Sequence, residues 1–504
     1  MVVESGLGRT PGDSALSRPE DPSPVPELAA VKEAVLDVQA SQQGAARAAL
    51  SNGHGRGRVP DDDLPPRQPN QEQRVKLARD KRGQWTLAPD GHLANNLSWV
   101  VGFMELANAG DFAANVWNDV PIPVYAIVFM AVGGAVAGTM SIFAFRDARR
   151  ACYNVRYLRK QRRVLLEEKR ERELRLAATV DLDVMLAINF RELGTELVSR
   201  WIMDLLMGFG AILICIGTYL AIGGANPAVY LASNLLSGYV GNTPIALFGL
   251  VNFSWAAFIF CKAQSHVTHA QQLLGSCTAA ALVKRRARKV QVYSVINGTA
   301  TVLGGVASMI TATRWWGYVL LIPVILSSIF CNIWWRKMIG YTRSEGHPPI
   351  RRHELVHALE LAAAADFSPS DEVEAVRQWC PELPDSLAGT LSLLSYHSLF
   401  PQFCLAVVAN SDLYHALAGN GTEMNEMTLT PADICALSAT WHPTLLVIAK
   451  TLIKNVRPDH FSNRERYLAE LLGTYCTMAR RETIEKESDD AASHPPQADA
   501  TEKL

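Results

Sequence analysis

The stretch Pro121–Phe145, PIPVYAIVFMAVGGAVAGTMSIFAF, followed at once by Arg146-Asp147-Ala148-Arg149-Arg150, decides how the rest of the chain is read. It runs 25 residues without a charge. At about 1.5 Å of rise per residue it crosses a hydrocarbon core of roughly 30 Å with some tilt. Asp111 and Asp119 precede it and Trp117 sits at the level an interfacial aromatic prefers, whereas arginines follow it. The span therefore has a direction as well as a position.

Four further spans follow: Trp201–Gly224, Thr243–Ala263, Val292–Thr311 and Trp315–Trp335. Only Ala312–Arg314 separates the last two, which requires a tight antiparallel hairpin. Trp315, Trp316 and Tyr318 mark one end of the last span, and Trp334 and Trp335 the other. That separation amounts to roughly 28 Å of helix, close to the hydrocarbon thickness.

The loops agree on one orientation. Residues 146–200 carry 14 Lys/Arg against 9 Asp/Glu, and 262–289 carry six Lys/Arg and no acid. The positive-inside rule places these loops and the C-terminal region in the cytosol. Leu93–Ala109, with Asn95, Asn96 and Glu105, is only moderately apolar and reads as an interfacial or re-entrant segment rather than a sixth span. This leaves a conflict. Five spans put the tail bearing Arg74, Lys76, Arg79, Lys81 and Arg82 outside, with no apolar leader to carry it. If 93–109 crosses instead, the tail returns to the cytosol.

The expected architecture is all-α: a multi-pass transmembrane helical bundle with five spans and one ambiguous segment, plus a cytosolic helical C-terminal domain. Residues 1–92, rich in Pro, Ser, Gly and charge, read as a disordered tail, and 93–120 as the interfacial segment. The transmembrane domain covers 121–337, including the basic loop 146–200. Residues 340–485 form the helical domain, with candidate helices Arg352–Ala365, Ser370–Cys380, Ser386–Asn410, Thr430–Ala439, Leu445–Val456 and Asn463–Arg480. Leu387–Ala409 is uncharged, but His397, Pro401 and Gln402 mark it as a buried core helix interrupted at the proline. Residues 486–504 read as a disordered end.

A net charge of −1 and the absence of an aromatic RNA motif give no reason to expect nucleic acid. Nine scattered cysteines without a CxxC pair fit reduced thiols rather than a disulfide framework. No P-loop, nucleophile elbow or dinucleotide fingerprint occurs, so no catalytic or cofactor residues are assigned.

The sharpest motif is His353-Glu354-Leu355-Val356-His357. On a helix its histidines share one face at i and i+4, the arrangement with which zincin-type peptidases hold zinc. Glu372 or Glu374 would supply the third ligand. Against this, Arg351 and Arg352 precede the motif, and Leu355, Leu359 and Ala362 make an ordinary core face that leaves His353, His357 and Glu360 as a solvated stripe. Within the spans, Asn252, Ser254, Asn297, Thr299, Thr301 and Asn332 are the polar inventory, and none of the five carries a charge near its midplane. Gly134-x-x-x-Gly138 permits close helix contact, within the chain or in a homo-oligomer. The basic run 146–175 suits anionic lipid headgroups, a calmodulin-like partner or a coiled coil, or is simply a solvated juxtamembrane helix.

The block Gly110–Gly134 (GDFAANVWNDVPIPVYAIVFMAVGG), followed by FRDARR, resembles the opening of a group of uncharacterised multi-pass membrane proteins of filamentous fungi. The resemblance is most specific at Trp117-Asn118-Asp119-Val120-Pro121. It implies a shared membrane fold and no activity. The expected function is a non-enzymatic membrane scaffold or sensor whose 340–485 helices bind a cytosolic protein. The alternatives are a transporter or channel for a neutral or weakly polar solute, and a membrane-anchored zinc peptidase.

Overall fold

The structure is a computed structural model and describes residues 73–117, 121–346, 350–366, 386–418 and 424–493. The tails 1–72 and 494–504, the Ser370–Cys380 helix, and Glu372 and Glu374 lie outside the described residues.

Five helices are long and apolar enough to cross a membrane. They are α2 (Val124–Leu174), α3 (Val180–Ala221), α4 (Pro227–Leu274), α5 (Thr278–Thr311) and α6 (Gly317–Ile339), after a short α1 (Phe112–Val116). The chain is a multi-pass membrane protein. α2 is one unbroken helix of 51 residues, about 76 Å long. The absence of Gly and Pro after Phe145 lets the span continue straight out as a stalk. Its outer face, apolar at Val128, Val132 and Ile142, continues as Arg146, Arg149, Arg150, Arg156, Lys160 and Arg163, all exposed. Arg172 to Asp181 (2.9 Å) and Lys169 to Asp183 (2.5 Å) then tie its far end to the start of α3. α5 and α6 form the tight hairpin that the three-residue separation requires, with Gly317 packed against Thr311.

Residues 93–117 do not leave the bundle. Trp99–Ala109 is a 3-10 helix of 11 residues wedged against α2, α3 and α6. At one end, Asn95 donates to the Arg336 carbonyl (3.0 Å) and Asn332 donates to the Ser98 carbonyl (3.0 Å). At the other, Tyr318 donates to Asp111 (2.8 Å) and Asn115 donates to Tyr318 (2.7 Å). Residues 95–111 therefore run antiparallel to the 318–336 stretch of α6, which is about 27 Å of helix. An α-helix of that many residues falls short of this length. The 3-10 rise of about 2.0 Å per residue, with the extended residues before it, covers the distance.

The sequence reading is corrected at the end of its disordered tail. Residues within 73–93 form β1 (Val75–Arg79), β2 (Trp85–Leu87) and β3 (His92–Leu93). Asp80 accepts the Arg82 (2.7 Å) and Gln84 (3.2 Å) amides, and Gly83 takes φ +77°, closing the β1–β2 hairpin. β3 pairs with β4 (Arg343–Ser344), and Asn154 on α2 clamps both the N–H and the C=O of Ala94. β1 also pairs antiparallel with β5 (Glu426–Leu429), Val75 opposite Leu429. Val75 and Leu77 are thereby buried in the core of α8 (Leu387–Tyr396), α9 (Phe400–Ala409), α10 (Ser411–Ala418) and α12 (His442–Lys454). A five-residue strand with two inward residues is too weak a pattern to detect without its partner.

The uncharged 387–409 stretch is two core helices, broken at Ser398 (φ +58°), with Pro401 in the first turn of the second. α11 (Pro431–Cys435) begins with a Thr430–Asp433 capping box. α7 (Arg352–Asp366) and α13 (Pro458–Ser493) belong to a second core. There Leu355, Leu359, Leu468, Leu471 and Leu472 pack on Leu182, Met185 and Ile188 of α3 and Val283 of α5. The 340–485 region thus feeds two cores, one of them shared with the extensions of the membrane helices.

Candidate functional site: a cavity inside the bundle

The 3-10 helix has about three residues per turn, so Gly102, Glu105 and Asn108 stack on one face, and Asp111 follows just past its end as the N-cap of α1. Gly102 lets the backbone of this segment lie against α6, since a Cβ there would meet the Asn332 Cβ at 2.9 Å. Asn108, 1% exposed, donates to Glu105 (2.7 Å) while its own oxygen has no partner. Asp111 is fully buried against Tyr318 and Asn115. A polar ladder thus follows a segment that lies among the apolar helices.

Glu105 faces a cavity of about 70 Å³ between the 3-10 helix, α3, α5 and α6, lined mainly by apolar residues such as Val101, Met203 and Met207, with Thr195, Ser199, Arg200, Asn297 and Asn332 as its polar walls. That holds a few waters, and the polar walls offer them partners. Thr195 and Trp335 also line a second cavity of about 40 Å³ that reaches Arg191, Glu192 and Tyr341. Arg191 in turn borders a third, water-sized space of about 10 Å³ with Lys262, His266, Arg286 and Glu470. The three spaces form an interrupted polar line from Glu105 to α13.

Ion pairs frame this line. Arg191 (3.0 Å) and Arg286 (3.2 Å) share the buried Glu470. Burial alone would push the Glu470 carboxyl up, but Arg191 and Arg286, helped by His266 and Lys262, outweigh it and hold the group well below its ordinary range. Glu192 pairs with Arg343 and accepts from Tyr341 (2.5 Å), while Arg343 also reaches Gln161 (2.8 Å) and Tyr157 (3.2 Å). Nearer the cavity, Arg200 bonds Glu196 (2.8 Å), Asn96 (3.0 Å) and Asp147 (3.2 Å).

Of the polar residues expected from sequence, Asn297 and Asn332 line the cavity. Asn252 is a clamp behind it, accepting from Ser199 (3.1 Å) and donating to Thr301 (3.2 Å). Ser254 and Thr299 bond their own helices. Gly134 and Gly138 face Tyr219 and Cys215 of the same chain. Sequence reasoning passed over Arg191, Arg200 and Glu470, because the arginines precede a span and look like interfacial anchors, and Glu470 reads as an ordinary charge of a C-terminal helix, until their partners are known.

The HExxH helix has the expected core face, with Leu355, Leu359 and Ala362 fully buried. Its chemistry-bearing residues diverge. The His353 side chain is 64% exposed, Glu354 lies 3.8 Å from Arg351, and His357 meets the Tyr396 hydroxyl (3.4 Å). Glu360 accepts the Ala279 amide (3.2 Å) at the start of α5, a favourable place for a carboxylate. Among the described residues no three His, Cys, Asp or Glu side chains are grouped as metal ligands.

Beside it, Arg464 donates to His397 Nδ1 (2.9 Å) and stacks on Tyr396 at 5.2 Å, and His460 Nε2 meets the His397 carbonyl (2.8 Å). Burial, then Arg464, His460 and His357, push His397 down to about 3. The free imidazole titrates near 6.5, so between these values the unfolded chain binds more protons and stability falls as pH drops. Melting of the purified protein is expected to weaken from pH 7 to pH 5, and His397→Asn to flatten part of that slope. An unchanged slope in the variant would contradict this assignment.

Compared with protein-family models, curated proteins and solved structures, the chain matches none of them.

Proposed function

We propose that this multi-pass protein crosses the membrane six times and passes protons or water-sized polar solutes along the line that starts at Glu105. The observation that carries this reading is a carboxylate on the central 3-10 segment facing a largely apolar cavity that Thr195, Ser199, Arg200, Asn297 and Asn332 also line. Ionisable groups at membrane depth are costly, and proteins keep them chiefly on solute or proton pathways. Irregular backbone at that depth is tolerated where protein buries it or where it lines a cavity, as 93–111 does. A sixth crossing also removes the topological conflict. The arginine-bearing β1 and the C-terminal helices, already paired through β5, lie on one side with the 146–200 and 262–291 loops, and the positive-inside rule makes that side cytosolic.

Purified full-length protein in liposomes, with a pH-sensitive dye inside and a potassium diffusion potential, tests the reading. Wild type is expected to admit protons or to swell in small neutral solutes faster than empty vesicles, and Glu105→Gln to lose about tenfold or more of the proton flux. Wild-type vesicles no leakier than empty ones in both assays would sink it.

The scaffold or sensor reading rests on a different observation. Glu470 and Phe461 join α13 both to the bundle and to the α8–α12 core, so a partner bound to that core is mechanically linked to the membrane helices. Capture of a specific partner by full-length protein, without flux, would favour it.

A further inference from the structure

Asp204 on α3 is fully buried, and among the described residues neither of its carboxylate oxygens receives a hydrogen bond from a donor. The side chain it meets is another carboxyl group, Asp147 of α2, itself 1% exposed. Asp147 is already well supplied. It accepts the Ser98 amide (3.3 Å) and Arg200 (3.2 Å), with Arg150 at 3.8 Å. Arg200 spends its other terminal nitrogen on Glu196 (2.8 Å). Three carboxyl groups therefore surround one fully buried guanidinium, with the half-exposed Arg150 at the edge. From α5, Tyr293 lines the same cavity as Arg200, and Asn96 comes from the N-terminal segment.

An ionised carboxylate sealed from water and without a donor is not a stable arrangement; such groups neutralise instead. Two carboxyl groups in contact resolve the problem by keeping one proton between them. The backbone supports this placement. Leu197–Ile202 is a π turn, and the extra residue per turn shifts Arg200 and Asp204 off the ordinary helical register.

We propose that Asp204 and Asp147 form a proton-binding site, with the Asp204 carboxyl donating to the Asp147 carboxylate behind the Arg200 wall of the cavity. Release of the proton to cavity water leaves Asp204 as an anion, which then competes with Glu196 and Asp147 for the Arg200 guanidinium. Loading of the pair thus sets where Arg200 points, and Arg200 borders the cavity. The pair stands whether or not solute crosses the bundle.

Infrared spectroscopy of the full-length protein in lipid nanodiscs at neutral pH tests this without any flux measurement. The wild type is expected to show the carbonyl stretch of a protonated, buried carboxylic acid, shifted in heavy water. Asp204→Asn is expected to lose that band and to keep the fold, since the amide donates to Asp147 as the acid did. Glu105→Gln is expected to retain it. If Asp204→Asn fails to fold, Asp147→Asn carries the same test, because removing the acceptor shifts the Asp204 band. Absence of a protonated-acid band in wild type, or an identical band in Asp204→Asn, would overturn the assignment.

Discussion

Glu470→Ala is expected to destabilise the protein by about 3–5 kcal/mol, the usual cost of stranding one side of a buried ion pair. Glu470 sits on α13, 4% exposed, and receives Arg191 from α3 and Arg286 from α5. Its removal leaves two guanidinium groups with Lys262 and His266 in the same sealed space. Arg191 keeps the Tyr341 hydroxyl (2.9 Å) and Arg286 the Ile339 carbonyl (3.3 Å), neither of which carries the lost charge. Glu470→Gln keeps volume and an acceptor and should fall between. The surface pair Arg175–Glu171, at 4.0 Å and with side chains 79% and 63% exposed, supplies the contrast. Glu171→Ala is expected to change stability negligibly. Thermal or denaturant unfolding of detergent-solubilised protein measures all three, and a Glu470→Ala protein as stable as Glu171→Ala would refute the keystone role of Glu470. The sign with pH follows from the depressed carboxyl. Its stabilising contribution is present above the ordinary carboxylate range and is lost as pH falls toward its folded value.

Gly133→Val is the second large effect expected. A Cβ on Gly133 would stand 2.0 Å from the Gly110 carbonyl oxygen and 3.0 Å from its carbon. Both belong to backbone, so no rotamer change relieves the clash and α2 must separate from the 93–117 segment. Overpacking of this kind costs about 1–3 kcal/mol or more. It should also loosen the Tyr318–Asp111 contact, which lies one residue beyond Gly110. Gly304→Ala is the matched control, because its Cβ would meet only a side-chain methyl, Val324 Cγ1, at 3.1 Å. Unfolding by Gly133→Val no easier than by Gly304→Ala would show that the two backbones are not in contact.

Much of this architecture was legible from single segments. Each of the five long apolar runs carries its own evidence: length, absence of charge near its middle, and flanking charges or tryptophans. The α7 core face was equally local, since Leu355, Leu359 and Ala362 recur at helical spacing. The HExxH pattern is local too, and that is why it misleads. Spacing puts His353 and His357 on one face but says nothing about a third ligand, and His357 instead meets the tertiary partner Tyr396 while Glu354 lies near its local neighbour Arg351.

Three features depended on the tertiary structure. The 95–111 segment holds an 11-residue 3-10 helix, whose longer rise lets it run alongside the 318–336 stretch of α6 with fewer residues than an α-helix needs, so its apolar run is short. β1 holds two inward residues and acquires meaning only when β5, some 350 residues later, supplies its ladder. In the sequence Asp147, Glu196, Arg200 and Asp204 stand next to or at the start of spans, where charge is ordinary. Helix packing turned them inward and set Glu105 facing a cavity that no single segment encodes. Sequence alone determined which segments prefer lipid, because that preference is a sum over each segment's own side chains. Which polar groups were carried inside with them was decided by packing, since burial of a charge depends on partners far away in the chain.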